Sequence, residues 1–268
     1  MNEDNSSFLW DAETYDKVSD THEKWARKII LSKIWTGKEI IMDAGCGSGR
    51  ITKILSEIVP FGKVYAIDND ENMIDKAKEN LKDFKNVIII KSNLLDIDFN
   101  KTQSKFNTIF SNAVLHWILD HYKAFKNFYD LLVSNGQILI QCGGYGNLQK
   151  AISIFNTIKE SSEFKEFFSK WKDQWNFAKP DDMEKVLKEI GYKDINVYLE
   201  DYPVTFKDKN SYSTYLKTVV LGPYLKHLPS EKLQDNFLQR IIQIKEEENN
   251  EQTLTLDYKR LNIFATKP

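Results

Sequence analysis

The chain has 268 residues, 41% apolar and 28% charged, with a formal net charge of −2, the make-up of a soluble globular chain long enough for one large α/β domain or two small ones. That charge offers no bulk attraction for nucleic acid or an anionic membrane, and the two cysteines, Cys46 and Cys142, are too few for a disulfide framework or a Cys-rich zinc site. No apolar run is long enough to span a bilayer and Met1 to Ser7 is polar and acidic, unlike a signal peptide, so the expectation is a cytoplasmic protein with no membrane partner. Trp10 to Trp35 reads as helical, with Val18, Trp25, Ile29 and Ile30 near one face and Gly37 as the stop. Ile40-Ile41-Met42 reads as a buried strand, followed by the turn Asp43-Ala-Gly-Cys-Gly-Ser-Gly-Arg50 and a helix beginning at Ile51. Lys63 to Ile67, after Pro60 and Gly62, is a second strand ending at Asp68, and a helix from Glu71 to Leu81 opens with acids. Val87 to Ile90 and Phe106 to Phe110 are the third and fourth strands. A helix from about Asp120 to Val133 closes at Asn135-Gly136, and Gln137 to Gln141 is the fifth strand. Beyond Gly146 the spacing is helical from Leu148 to Lys179, again over Asp181 to Ile190, and mostly so from Phe206 to Asn250. Ile195 to Leu199 and Arg260 to Thr266 complete seven strands.

Strands alternating with helices imply parallel pairing with right-handed crossovers. In such sheets ligands bind beyond the carboxyl ends of the strands, so the polar residues that end them gather on one rim. The turn after the first strand carries Gly45, Gly47 and Gly49. Glycine is needed there where φ is positive or a ligand approaches the backbone, and a helix start leaves N–H groups unpaired for an anionic group. A dinucleotide fingerprint, G-x-G-x-x-G, would need glycine where Arg50 stands, and the Gly-Lys-Ser/Thr of a phosphate loop is missing. Asp68, some twenty residues on, can accept hydrogen bonds from ribose hydroxyls; the alternative is a solvated helix cap ahead of Asp70. Met73, one turn later, is placed either for an adenine face or for plain core.

The acid-led turn resembles the first motif of class I S-adenosylmethionine-dependent methyltransferases, D-x-G-x-G-x-G. The stretch Ile109-Phe110-Ser111-Asn112-Ala113-Val114-Leu115-His116-Trp117 resembles the corresponding part of trans-aconitate and juvenile hormone acid methyltransferases. Continued through Ile118 to Phe125 it resembles especially the latter. Trp10-Asp11-x-x-x-Tyr15 is similar to the opening of the trans-aconitate group, and Gly222-Pro223-Tyr224-Leu225-Lys226-His227-Leu228-Pro229 to its cap. The resemblance runs from about residue 10 to the end. It implies a Rossmann-like α/β fold, a seven-stranded, mostly parallel sheet with helices on both faces, in a single domain over 1–268. Its core would lie at about 36–145, with a helical cap from about 147–180 and 205–250. The implied cofactor is S-adenosylmethionine, with S-adenosylhomocysteine as product. Asp43, Gly45, Cys46, Gly47, Asp68, Asn69, Met73 and Asn112 would hold it. Asn93, where the family carries Asp, and the backbone N–H of Leu94 would meet the adenine.

The methyl is carried on a sulfonium and leaves by in-line displacement. A carboxylate is already ionised at neutral pH and needs no general base, so catalysis rests on alignment and exclusion of water. That accounts for the lack of a Ser-His-Asp set, a carboxylate pair or a metal cluster. The expected acceptor is a small-molecule carboxylic acid; the alternatives are a macromolecular acceptor (RNA or protein) and a non-catalytic S-adenosylmethionine-binding protein. For catalysis the candidates are Tyr15, His22, His116, Trp117 and Tyr145. His22, where relatives place Arg or Gln, could hold a carboxylate, more strongly once protonated; the alternative is an exposed helix residue. His116 could donate to a substrate oxygen or be a satisfied histidine. Trp117 reads as pocket wall, and Tyr145, in a glycine loop, can swing toward the same space. Gly222 stands where the trans-aconitate group tends to carry a basic residue, which favours a monoacid or a larger apolar molecule over a tricarboxylate. Trp117, Phe167, Phe168, Trp171 and Trp175 would suit an apolar pocket. Lys226 and Arg260 have no placement from sequence.

Overall fold

The computed structural model describes residues 20–97, 105–172, 174–248 and 254–268. In chain order the elements are α1 (Asp20–Leu31), β1 (Ile40–Ala44), α2 (Arg50–Ile58), β2 (Lys63–Asp68), α3 (Glu71–Asn80), β3 (Val87–Lys91) and β4 (Phe106–Asn112). There follow α4 (His121–Leu131), β5 (Leu132–Gly143), α5 (Gln149–Lys159), α6 (Lys165–Phe168), α7 (Pro180–Ile190) and β6 (Lys193–Asp201). The last are β7 (Val204–Phe206), α8 (Lys209–Tyr215), α9 (Gly222–Lys226), α10 (Glu231–Glu248), β8 (Leu254–Leu256) and β9 (Lys259–Thr266). Seven strands form one sheet in the order β3-β2-β1-β4-β5-β9-β6. The pairs β1–β2, β2–β3, β1–β4 and β4–β5 are parallel, and β9 runs antiparallel to β5. This is the expected Rossmann-like α/β architecture with its mostly parallel sheet.

The apolar runs explain the layering. Successive strand residues face opposite sides, so Met42, Tyr65, Ile109 and Ile138 pack with Phe125 and Phe128 of α4. Their neighbours Ile41, Val64, Phe110 and Leu139 pack under Ala26 and Ile29 of α1 and Leu55 of α2. A sheet covered on both faces needs such unbroken apolar strands. The described residues fall into two compact units. One comprises 20–97, 105–145, 175–200 and 260–268 and contains the sheet; the other comprises 146–172, 174, 201–248 and 254–259. In the second, α5, α6 and α8 to α10 accompany an antiparallel ribbon of β7 and β8. Trp171 stacks on Tyr224 at 4.8 Å and Phe164 meets Phe237 edge-on at 5.2 Å. The ribbon has no counterpart in the sequence reading: its strands are three residues each, too short to show a period.

Four boundaries differ from expectation. The first helix spans Asp20–Leu31, and Trp35 lies in the loop beyond it, its Nε1–H donating to Ile30 O at 2.9 Å. The helix expected to close at Asn135-Gly136 ends at Leu131, because Leu132 turns extended and pairs with Phe106. Asn135, at φ 62°, and Gly136 instead form a bulge inside β5: the register passes from Phe106↔Leu132 to Thr108↔Gln137. Lys267 exchanges backbone hydrogen bonds with that bulge, giving to Gly136 O and taking from Asn135, both at 2.8 Å. The helical stretch read from 148 to 179 breaks after Lys159 and ends at Phe168. Residues 175–179 form a strap, with Asn176 N–H bonded to His116 O (2.8 Å) and Tyr145 N–H to Ala178 O (3.0 Å).

Candidate active site

The site is built on the carboxyl ends of β1, β2, β4 and β5 and the start of β9, all in the sheet unit. After β1 the chain turns through the glycines, whose amides are not bare as expected. Gly45 and Cys46 N–H both donate to Ile67 O (2.7 and 2.9 Å), Gly49 N–H to Cys46 O (3.0 Å), and Gly47 N–H to Asp68 Oδ2 (2.9 Å). The end of β2 supplies these acceptors because it is the parallel neighbour of β1. A methyl group added at Gly45 would stand 2.2 Å from Val114, and one at Gly49 2.5 Å from Leu81, so those glycines serve packing. One added at Gly47, at φ +55°, would meet only Met73 Sδ, at 3.9 Å. Gly47 therefore borders open space, the one place in the turn where a ligand can come onto the backbone.

Asp68, half-buried, also accepts from Asp70 N–H at 3.0 Å through Oδ1. The helix cap is Asp70, which takes Met73 N–H at 3.0 Å and leaves Asp68 directed at the turn. Burial raises the Asp68 pKa, opposed by these backbone N–H groups. Asn69 is exposed and Met73 is buried beneath Gly47. Asp43, buried at the end of β1, takes a hydrogen bond from Thr52 Oγ1 at 2.6 Å. Burial, with a smaller push from the Asp68 charge, lifts its carboxyl to about 7. The Cys46 thiol is pushed well above its usual value by burial, so it carries no thiolate chemistry. β3 ends at Lys91; beyond it Asn93 is exposed with Oδ1 accepting Leu95 N–H at 2.9 Å, and Leu94 is buried. The Asn93 oxygen expected to face an adenine amino group thus already has a partner within its own turn.

On the other side, Ser111 Oγ–H closes β4 onto β1 through Ala44 O at 2.6 Å. Asn112 gives its Nδ2–H to His22 O at 3.1 Å, while its buried Oδ1 has no partner among the described residues. Leu115–Trp117 is a single 3-10 turn that carries His116 into the interior. His116 Nδ1 accepts Gly143 N–H at 3.3 Å, its ring stacks on Phe177 at 5.8 Å, and burial holds its pKa well below the usual value, with Arg260 second. The imidazole is therefore neutral, with its proton on Nε2: a donor, not a base. Trp117 is half-buried, 5.7 Å from Trp175. His22 is buried on α1, against the exposed alternative, and burial with Arg260 drops its pKa to about 3. The stronger hold expected of a protonated His22 is thus absent at neutral pH. Tyr145 is 56% exposed with Lys179 Nζ 4.7 Å over its ring, the least enclosed of the candidates. Tyr15, with Trp10 and Asp11, lies outside the described residues. Trp117 and Trp175 belong to the sheet unit, and Phe167, Phe168 and Trp171 to the other.

Arg260 is the residue sequence reasoning did not place. Because β9 runs antiparallel, its first residues stand at the rim, and Arg260 pairs with Gly143 at the end of β5. The side chain is 1% exposed, its guanidinium 4.5 Å over the Trp25 ring of α1. Its charge adds to burial in lowering the pKa of His22 and His116 and partly offsets the burial that pushes the Cys142 thiol up to about 12, so all three converge on it. The signal was present in the alternation: Arg260 and Asn262 share one face of a strand whose other face is Leu261, Ile263 and Ala265. Among the described residues no group of three His, Cys, Asp or Glu could hold a metal ion.

The methyltransferase-domain family profile matches residues 36–216, more than half of the chain. The trans-aconitate 2-methyltransferase of Agrobacterium fabrum is 26% identical over 228 residues, covering 81% of this chain and 82% of that one. The juvenile hormone acid O-methyltransferase of Bombyx mori is 25% identical over 267 residues, covering 91% and 90%. Phosphoethanolamine N-methyltransferase 2 of Haemonchus contortus, solved with phosphomonomethylethanolamine and S-adenosylhomocysteine, matches with a TM-score of 0.59 at 19% identity, over 96% of this chain and 57% of that longer one. That last likeness speaks to the fold.

Proposed function

Because the chain belongs to the methyltransferase-domain family and is an S-adenosylmethionine-dependent methyltransferase, we propose that its acceptor is a carboxylate oxygen of a small-molecule acid. The observation that carries this reading is Arg260, a fixed guanidinium at the rim end of β9, flanked by two histidines that stay neutral. A planar guanidinium matches a carboxylate and remains charged at any working pH. The curated relatives named for trans-aconitate and juvenile hormone acid support it, since both names denote acids.

The turn fits the cofactor: Gly47 borders open space that a side chain would fill, and Asp68 is tethered beside it with acceptor capacity remaining on both oxygens. In this reading Asp68 would take the ribose hydroxyls, Met73 would lie under the base and Asn112 Oδ1 would accept from the amino-acid end. Bound there, S-adenosylmethionine supplies a methyl whose bond to sulfur breaks as an acceptor oxygen bonds to carbon, the electron pair returning to sulfur. No proton has to move, which suits a site whose histidines are buried and neutral. His116 Nε2–H would donate to one carboxylate oxygen, Arg260 would offset the acceptor's charge, and Trp117 and Phe177 would exclude water. Alignment is the main contribution such a site makes.

The test is incubation with methyl-labelled S-adenosylmethionine and fractionated metabolites. A labelled product that releases methanol in mild base is a methyl ester, the expected result. A base-stable label, or label retained on RNA or protein, would overturn the carboxylate assignment.

A further inference from the structure

The opposite end of the sheet unit, where the parallel strands begin, carries side chains that neither the core nor the site uses. Ile34 is 93% exposed, Leu31 82% and Phe61 80%. Leu31 ends α1 and Ile34 lies three residues on, in the loop that continues to Gly37; Phe61 N–H is bonded to Gly37 O at 2.9 Å, with Cδ2 3.9 Å from where a Gly37 methyl would stand, which ties Phe61 to that same loop. Beneath them Trp35 is half-buried, anchored to Ile30 O and covered by Lys33 Nζ at 5.3 Å from its ring centroid. The support is thus fixed while the three apolar tips project into water. They stand proud of the surface, so an inserting plane suits them better than a grooved partner.

The exposed charges beside them are mostly lysines. Lys38 and Lys63 are exposed on either side, Lys63 pairing with Ile40 at the start of β2 and β1. Lys105 precedes β4 at the same end, and burial, aided by the charges of Lys105 and Lys126, depresses the pKa of Lys267. Of the acids here, Glu39 is turned inward, accepting N–H from Thr36, Gly37 and Lys38 at 2.7 to 3.1 Å, and Asp130 is paired with Lys126 at 2.5 Å. Glu57, on the last turn of α2, is the exposed exception.

From this juxtaposition we infer that the end of the sheet unit around Leu31, Ile34 and Phe61 docks reversibly on an anionic lipid surface. Apolar side chains enter the headgroup boundary while lysines meet lipid charge, the two contributions that hold peripheral proteins on membranes. A second copy of the same face would set lysine against lysine, which disfavours self-association. An acidic carrier protein delivering an acyl group would have to dock at the other end, where the strands finish. Docked this way, the end of the sheet that carries Asp68 and Arg260 points away from the lipid. The inference does not depend on what the acceptor is.

The test is co-sedimentation of the full chain with phosphatidylcholine vesicles containing about one third phosphatidylserine, against phosphatidylcholine alone, at low and raised salt. The expected result is partition onto the anionic vesicles about tenfold above the neutral ones, weakened by salt. The double variant Ile34→Ser/Phe61→Ser and, separately, Lys38→Glu/Lys63→Glu should each lower it about tenfold. Both should bind S-adenosylhomocysteine like the parent, showing the fold intact. A parent protein that stays in the supernatant, or variants that sediment as well as the parent, would overturn the inference. So would a parent that dimerises in sedimentation velocity and loses the dimer on Phe61→Ser, since the face would then be a contact between copies.

Discussion

The two sides of the carboxyl rim are made by different means. On the β1–β2 side the working parts are backbone: a turn whose amides are tied to Ile67 O and Asp68, and a glycine that leaves space. On the β4–β5–β9 side they are buried side chains, His22 and His116 around Arg260, brought together from α1, a 3-10 turn and the last strand. A backbone site tolerates many side chains around it but no change in chain path. A side-chain site tolerates small shifts of path but no change of charge. In the proposed reading, nucleoside binding would thus be separable from acceptor choice.

The largest expected effect breaks the first side alone. Gly47→Val puts a β-branched residue at φ +55° and fills the open space, so calorimetry should find no measurable S-adenosylmethionine binding, a loss beyond about a thousandfold, while the sheet still melts cooperatively. Asp68→Ala removes a charged acceptor and should weaken the same binding about a hundredfold. Next comes the second side. Arg260→Met should raise the acceptor KM about a hundredfold with cofactor affinity within about twofold; equal loss of both would merge the two sides and end the comparison. Arg260→Lys should restore only part, since a point charge replaces a fork.

The smallest effect sharpens the contrast through pH, because the two sides titrate in opposite senses. His22 is depressed from 6.5 to about 3, so its contribution to stability is full above pH 6.5 and is lost as pH falls toward 3, about 1.4 kcal/mol per pH unit. Asp43 is raised from 3.8 to about 7, so its contribution is full below 3.8 and is lost as pH rises through about 7. Thermal melts across this range should show His22→Gln flattening the acid limb and Asp43→Asn flattening the slope between about 4 and 7. If neither limb moves, the burial of these two groups is not what sets them.

This division also explains what could be read in advance. The β1 turn, Asp68 and the parallel core are local in sequence: a strand, three glycines and an acid about one crossover later. The end of β4 was legible only as a resemblance, and which ring nitrogen of His116 carries the proton depends on Gly143 N–H, 27 residues away. For Arg260 the alternation marked a polar strand face, but its place at the rim required knowing that β9 is inserted antiparallel beside β5, a long-range pairing. The Asn135-Gly136 pair misled because a helix stop and a β-bulge ask for the same left-handed backbone. The strap 175–179 looked helical by its aromatics, but its Asn176 N–H is drawn to His116 O and its Ala178 O accepts Tyr145 N–H.

The seating of β9 between β5 and β6 reaches further than geometry. It follows β6 in the chain, so in the proposed reading a chain folded only through β6 would have the turn that receives the methyl donor yet lack the guanidinium that would grip an acid. Pairing of β9 would then complete the sheet and bring Arg260 to the acceptor side in a single event, coupling acceptor binding to closure of the sheet.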